Sequence, residues 1–351
     1  MIIFFCLLVL VVVLGCFYRY SVSAVDKNDK TFVEIEIPSG STTTGIGKIL
    51  KENDLVHSKN IFRLYCTIYK IDSLKAGTYS LSKSMDLKTI VEVLKKGNNY
   101  NPDEISITFK EGINMRKIAK TIADNTNNTE QDVYDKLKDS KYIDSLIEKY
   151  WFLDSSIKNS SIYYPLEGYL YPDTYRFVNK DVSVEDIFKK LLDAEDKFLT
   201  KYKKEINNSK YSVHELLSLA SVVELESVTE SDRAGVAGVF YNRLNSNMQL
   251  GSDVTSYYAN KVDMSERDLT VAEYNYNSPY NTRIASNAGK IPVGPIASVS
   301  ETAFKAVINP TKHNYYYFVS DKNRKIYFST TYAEQNKKIK ELKEKGLWYE
   351  W

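Results

Sequence analysis

The first eighteen residues read MIIFFCLLVLVVVLGCFY, without a single charge. A soluble domain rarely commits such a run to one helix. The hydrocarbon core of a bilayer is about 30 Å thick and takes about 20 apolar residues to cross. Residues 1–20 are therefore expected to form a single transmembrane helix in the cell membrane, with the bulk of the chain on the extracytoplasmic side. The alternatives are a cleaved signal peptide or a lipoprotein signal ending at Cys16. The nearest small-x-small site, Ser21-Val-Ser23, lies beyond Arg19, and Val13-Leu14-Gly15 is an imperfect lipobox. Both features favour a retained anchor. The flanking charge points the other way: no Lys or Arg precedes the run and Arg19 follows it, against the positive-inside tendency.

Composition narrows the function of the remaining chain. The protein has 351 residues, enough for two or three units. Lys and Arg number 47 against 45 Asp and Glu, a net charge of +2, which argues against a dedicated nucleic-acid binder. There are 3 Cys and 3 His, with no CxxC or HxxxH spacing, so no zinc site is expected. No GxxxxGK[ST] phosphate loop occurs, and no cofactor is called for. Beyond the apolar run only Cys66 remains, which cannot form an intramolecular disulfide. An exported domain stabilised by its core is compatible with that.

The pattern reads as α+β. Residues 21–30 form a polar linker. Residues 31–104 read as a small unit in the order strand, helix, helix, strand, helix. From Val33 the first strand alternates apolar and polar residues. Ala76-Gly-Thr-Tyr-Ser-Leu81 supplies the second, and Asp86 caps a helix that Gly97 ends. Residues 105–351 read as one larger domain. Helices are expected near 115–123, 130–137, 184–202 and 212–227, then from Glu230 and near 300–308. Residues 245–291 read as irregular, with short strand candidates. A hairpin is expected over 315–319 and 325–329, followed by a helix opened by a capping box from Thr331 to Glu334. The Lys-rich tail interleaves Glu341 and Glu344 with Lys, as a solvated helix face does.

One carboxylate stands out. On a helical wheel, Val213, Leu216, Leu217, Ala220 and Val223 share a face, and Glu224 falls on it too. Glu226 falls on the far side, where surface placement is the default. Glu224 is then either solvated at a frayed helix end, paired with Arg233 or Arg243, or a general acid. Burial favours a protonated carboxyl near neutral pH, the state that a proton donor to a glycosidic oxygen needs. For Glu167 and Asp173, capping or a structural ion pair is expected.

Six separated stretches resemble the YceG-like family of endolytic murein transglycosylases. Ala220-Ser-Val-Val-Glu-Leu-Glu226 is similar to its catalytic-glutamate segment, and Val239-Phe-Tyr-Asn-Arg-Leu244 to the helix that comes next. Ser278-Pro-Tyr-Asn-Thr282 and Gly289-Lys-Ile-Pro-Val-Gly-Pro-Ile-Ala297 are similar to two loops. Tyr316-Tyr-Phe-Val319 with Tyr327-Phe-Ser329 matches the C-terminal hairpin, and Glu167-Gly-Tyr-Leu-Tyr-Pro-Asp-Thr-Tyr175 the entry to the catalytic domain. The chain departs from the family pattern at Gly251-Ser-Asp-Val-Thr255, which lacks the usual Gln and Pro, and at Gln335, where His is frequent.

The resemblance implies a membrane anchor, a small LysM-like module and a larger lytic-transglycosylase domain. It implies that Glu224 is catalytic and that the substrate is the glycan strand of peptidoglycan. Glu224 would protonate the oxygen between N-acetylmuramic acid and N-acetylglucosamine. As a carboxylate it would then take the proton of the sugar's own 6-hydroxyl, leaving a 1,6-anhydro end. Asn242, Asp253, Tyr280 and Asn281 are candidate sugar contacts; their other reading is loop scaffolding. Wall-synthesis enzymes in the membrane are the partners that the resemblance implies. Two competing functions stay open: a non-catalytic wall-binding or scaffold protein, and a muramidase that uses water.

Overall fold

The computed structural model describes residue 13 and residues 15–97, 104–226 and 229–348. Most of the run expected to span a membrane lies outside the described residues. Among the described residues, no helix is long and apolar enough to cross a membrane. The chain packs as two compact units. One takes the described residues up to Ile105 together with Arg176–Lys180; the other takes Ser106–Tyr175 and the described residues from Asp181 onward.

The smaller unit follows the expected element order. β1 (Phe32–Ile37) is followed by α1 (Thr43–Glu52), α2 (Lys59–Ile68), β2 (Gly77–Ser82) and α3 (Leu87–Lys96). β1 and β2 pair antiparallel, with Ile35 opposite Tyr79. Alternation along β1 puts Ile35 and Ile37 inside and Glu36 outside. Local chemistry starts and stops the helices. The side chains of Thr42, Ser58 and Asp86 accept backbone N–H bonds at the three N-termini. Gly97, with φ +71°, ends α3 in the left-handed conformation. The core joins Ile46 and Leu50 of α1, Phe62 and Cys66 of α2, and Ile90, Val91 and Leu94 of α3. Each such side chain contributes about 1.5–3 kcal/mol by leaving water.

β3 (Ile105–Thr108), which starts at the boundary residue, leads into the larger unit and its α4 (Met115–Asn125), α5 (Glu130–Lys138) and α6 (Ser140–Lys149), and then β4 (Thr174–Phe177), which begins in that unit. Next come α7 (Val184–Lys201), α8 (Lys203–Asn208), α9 (Val213–Glu226), α10 (Glu230–Asn245), α11 (Asp253–Ala259) and α12 (Val271–Tyr274). The chain closes with α13 (Glu301–Ile308), the hairpin β5 (Tyr317–Ser320) and β6 (Ile326–Ser329), and α14 (Tyr332–Glu344). The hairpin pairs antiparallel, as expected.

One region differs from expectation. Within 245–291 the ordered elements are the helices α11 and α12 and a short 3-10 turn at Ala285–Asn287, where strands had been expected. Val254, Thr255, Tyr257 and Tyr258 read as strand formers by propensity. Burial of the whole run from Val254 to Ala259 overrides that. The 270–273 segment starts α12 with a Thr270–Glu273 capping box.

α9 is the centre of this unit and packs on α10, α11 and α13. At its start Glu215 N–H donates to Ser212 Oγ, and Ser212 N–H donates to a Glu215 carboxyl oxygen at 2.8 Å. His214 and every residue from Leu216 to Val223 are buried, so the middle of the helix is enclosed on all sides rather than amphipathic. Val236, Val239 and Phe240 of α10 and Ala303, Phe304 and Val307 of α13 are buried with it. Phe198 of α7 meets Phe304 edge-on, with ring centroids 5.3 Å apart. That packing delivers the last turn of α9 to the first turns of α10 and α13.

Candidate active site

Glu224 lies in the last turn of α9, with its side chain only 6% exposed. Three donors hold its carboxylate. Arg233 Nη2 on α10 donates to Oε1 at 2.7 Å. Ser300 N–H donates to Oε2 at 3.0 Å, and the Ser300 hydroxyl donates to the same oxygen. Ser300 is the N-cap of α13 and also accepts from Ala303 N–H, so the carboxylate sits at a helix N-terminus. Arg233 Nη1 donates to the Ser300 and Thr302 hydroxyls, closing the ring. A buried charge is tolerated when it is paired and hydrogen-bonded. The Glu–Arg pair, weighed from sequence as the alternative to a catalytic role, is present in the same place as the wheel-selected acid.

A turn from another part of the chain closes against this carboxylate. β3 runs into residues 109–113, where Phe109 N–H donates to Asp173 O at 2.9 Å. Gly112 N–H donates to Ser298 O at 2.9 Å, and Ser298 N–H returns to Ile113 O at 2.8 Å. These bonds tie the turn to the segment that presents Ser300. Gly112 has φ +71°, and a Cβ there would stand 3.9 Å from Glu224 Cγ and 3.5 Å from Leu225 Cδ2. The left-handed backbone angle favours glycine there, while a Cβ would meet these side chains only in ordinary van der Waals contact. Glu111, exposed beside it, has its carboxyl pushed above the usual range by burial and then by the charge of Glu224, with Arg233 opposing.

Glu226 is not on the surface as expected. Its carboxyl accepts from the Ser252 hydroxyl and is pushed up to about 7 by burial. The wheel assigned it a far side, but from Leu216 to Val223 α9 has no solvent side, and both acids at its end turn inward. Through Ser252, Glu226 connects the end of α9 to Asp253 at the start of α11.

The remaining sequence candidates separate. Asp253 is exposed and pairs with Arg283, close enough to Glu226 to raise its carboxyl further. Tyr280 and Asn281, the other two candidate sugar contacts, are completely buried. Asn281 accepts from the Ser256 hydroxyl and donates to Tyr274 O and Tyr276 O. Tyr280 accepts from Tyr163 N–H and packs between Tyr163 and Tyr258. Both scaffold the loop that shapes the start of α11: Thr282 O receives Gly251 N–H, and Thr282 Oγ1 receives Ser252 N–H, each at 3.0 Å.

Asn242 lies elsewhere on α10. Its amide donates to His313 O and Tyr315 O, both at 2.8 Å. It lines a cavity of about 500 Å³ with Lys210, Tyr241, Asn245 and His313, among which Glu224 is not included. Glu167 is structural, as expected: it is buried and accepts from Met115 N–H at the start of α4 and from the Tyr258 hydroxyl, both at 2.9 Å.

Sequence reasoning missed Ser300, Thr302 and Glu111. Ser300 left a local signal, a serine directly before an apolar helix. Glu111 left only an unexplained Glu-Gly pair.

The YceG-like family model matches residues 35–341. The chain is 38% identical over 317 residues to the endolytic murein transglycosylase of Bacillus subtilis strain 168, covering 89% of this chain and 85% of that one. It is 34% identical over 343 residues to the endolytic murein transglycosylase of Streptococcus pneumoniae D39, covering 92% of this chain and 61% of that longer protein. Among solved structures, the 2.6 Å crystal structure of the yceG-like protein lmo1499 from Listeria monocytogenes aligns with a TM-score of 0.62 at 35% identity. That alignment covers 88% of this chain and 99% of the other.

Proposed function

The chain belongs to the YceG-like family, and from that premise we propose that it is an endolytic murein transglycosylase, a lyase that cuts peptidoglycan glycan strands. The observation that carries the reading is Glu224, a carboxylate buried where α9, α10 and α13 meet and held by Arg233 and Ser300. Fixed in this way, the carboxyl keeps one orientation through a reaction that needs it twice.

The proposed reaction starts from the protonated form of Glu224, which gives its proton to the oxygen between N-acetylmuramic acid and N-acetylglucosamine. Positive charge develops at the anomeric carbon as that bond breaks. The Glu224 carboxylate, returned to the donors of Arg233 and Ser300, takes the proton of the 6-hydroxyl. The hydroxyl oxygen bonds to the anomeric carbon and a 1,6-anhydro end results. No water is consumed, so one acid that switches role suffices, unlike the paired carboxylates of most glycosidases. Asp253 and Arg283, exposed near the end of α9, contribute polar contacts to the strand.

The apolar residues 1–18 anchor the enzyme in the cell membrane by one span, with both packed units outside the cytoplasm. The smaller unit acts as a LysM-like glycan-binding module. In that setting the enzyme cuts strands as they leave the wall-synthesis machinery, its expected partner.

The test is mass spectrometry of the products made from peptidoglycan by the full-length chain in detergent. Anhydro-muramyl ends are expected from the wild type and none from a folded Glu224→Gln variant. Reducing ends would instead select a water-using muramidase. Binding without new ends would select a scaffold protein.

A further inference from the structure

The charge count around Glu224 changes when that residue carries its proton. As a carboxylate it neutralises Arg233, whose side chain is 10% exposed. Once Glu224 is neutral, Arg233 becomes a buried cation without a counter-charge, beside the position where the sugar becomes positive. Arg233 is also incompletely satisfied in the present arrangement: its buried Nε–H has no hydrogen-bond partner. A second anion is needed, near enough to act on both groups and free to do so.

Glu111 meets those conditions. The Gly112 turn that carries it is bonded to Ser298 and lies against the Glu224 side chain. Its carboxyl interacts electrostatically with both Glu224 and Arg233. It is exposed and has no ion pair or hydrogen-bond partner among the described residues.

Resting on the transglycosylase reading above, we propose that Glu111 is a positioning residue of the active site: the counter-ion of Arg233 while Glu224 holds the proton, and the negative charge that offsets the developing cation. With both carboxylates ionised and Arg233 charged, the trio carries net −1 as the glycosidic bond breaks. Without Glu111 it is neutral at that moment, and +1 in the acid-competent state.

Protonation of Glu111 removes this charge. Its carboxyl titrates above the usual range chiefly because of partial burial, which persists when Glu224 is neutral; an ionised Glu224 adds to the shift and Arg233 opposes it. Tyr171 also feels Glu111, and the same tyrosine feels Glu301 at the start of α13. The wild-type rate is therefore expected to fall on the acid side at a pH above the ordinary glutamate range.

The experiment measures kcat and KM for anhydro-end formation across pH, with the full-length wild type, Glu111→Gln, Glu111→Asp and Glu224→Gln. Glu111→Gln should lower kcat roughly tenfold or more near neutral pH, with KM nearly unchanged and the acid limb lost. Glu111→Asp should restore much of the rate and the limb. A wild-type rate in Glu111→Gln overturns the inference. So does an equal loss at every pH that Asp does not rescue. If wild type forms no anhydro ends, or Glu224→Gln still forms them, the transglycosylase reading fails instead.

Discussion

Arg233 grips Glu224 at 2.7 Å through one guanidinium nitrogen and through the other reaches Ser300, the residue whose hydroxyl and N–H bind the second Glu224 oxygen. The pair is inside the protein, and breaking it by removing one partner leaves a buried charge. Such losses cost about 3–5 kcal/mol. Arg233→Met should lose about that much in urea unfolding and abolish cutting. Combining it with Glu224→Gln should recover part of the stability, because neither charge then remains. Additive losses in the double variant would show that the two side chains do not interact energetically.

Ser300 has two duties that one substitution can separate. As N-cap of α13 it is worth about 1 kcal/mol, and as donor to Glu224 it bears on the reaction. Ser300→Ala keeps the backbone N–H bond to Glu224 and loses the hydroxyl. The expected result is a stability loss of about 1 kcal/mol and a fall in kcat of about tenfold to a hundredfold. A kcat equal to wild type would limit Ser300 to capping.

Which of these features the sequence carries depends on how local their causes are. The caps at Asp86 and Thr331, and the alternation from Val33, act within a few residues, and the elements formed where expected. Glu224 was legible because helical period alone puts it beside Val223 and Ala220. Glu226 was not, because a wheel assumes one wet face along the whole helix and α9 has none from Leu216 to Val223. Within 245–291, read as irregular, the short strand candidates give helices instead, because the local shape is set by bonds such as Gly251 N–H to Thr282 O, between residues far apart in the chain. Ser300 meets Glu224 from 76 residues away, and Glu111 approaches it on a turn still farther away in the chain. No periodicity reports such a meeting.

Asn281 and Asp253 should separate scaffold from contact. Asn281→Ala removes bonds to Ser256, Tyr274 and Tyr276 inside the protein. It should cost on the order of 2–3 kcal/mol in thermal or urea unfolding. Asp253→Asn touches an exposed pair, and surface pairs contribute roughly 0–1 kcal/mol. Its expected signature is a raised KM for glycan with unchanged stability. An unchanged KM in Asp253→Asn would remove that residue from the substrate surface.

Glu167 sets a pH dependence of stability. Its carboxyl is completely buried and pushed up to about 7, chiefly by loss of water, while Met115 N–H, the Tyr258 hydroxyl and Arg116 pull the other way. The folded protein thus favours the neutral form more than the unfolded chain does. That contribution is fully present below the ordinary carboxyl range and is lost as pH rises through about 7. Glu167→Gln imitates the neutral form, since both donors point at one oxygen that Gln retains. The variant should match wild type near pH 4 to within roughly 1 kcal/mol and exceed it by on the order of 3 kcal/mol above about pH 8. Glu195 and Glu226, also buried and raised, are present in both proteins and cancel from the difference. Urea unfolding at a series of pH values measures it. A difference that stays constant with pH would mean that Glu167 titrates alike in the folded and unfolded chain.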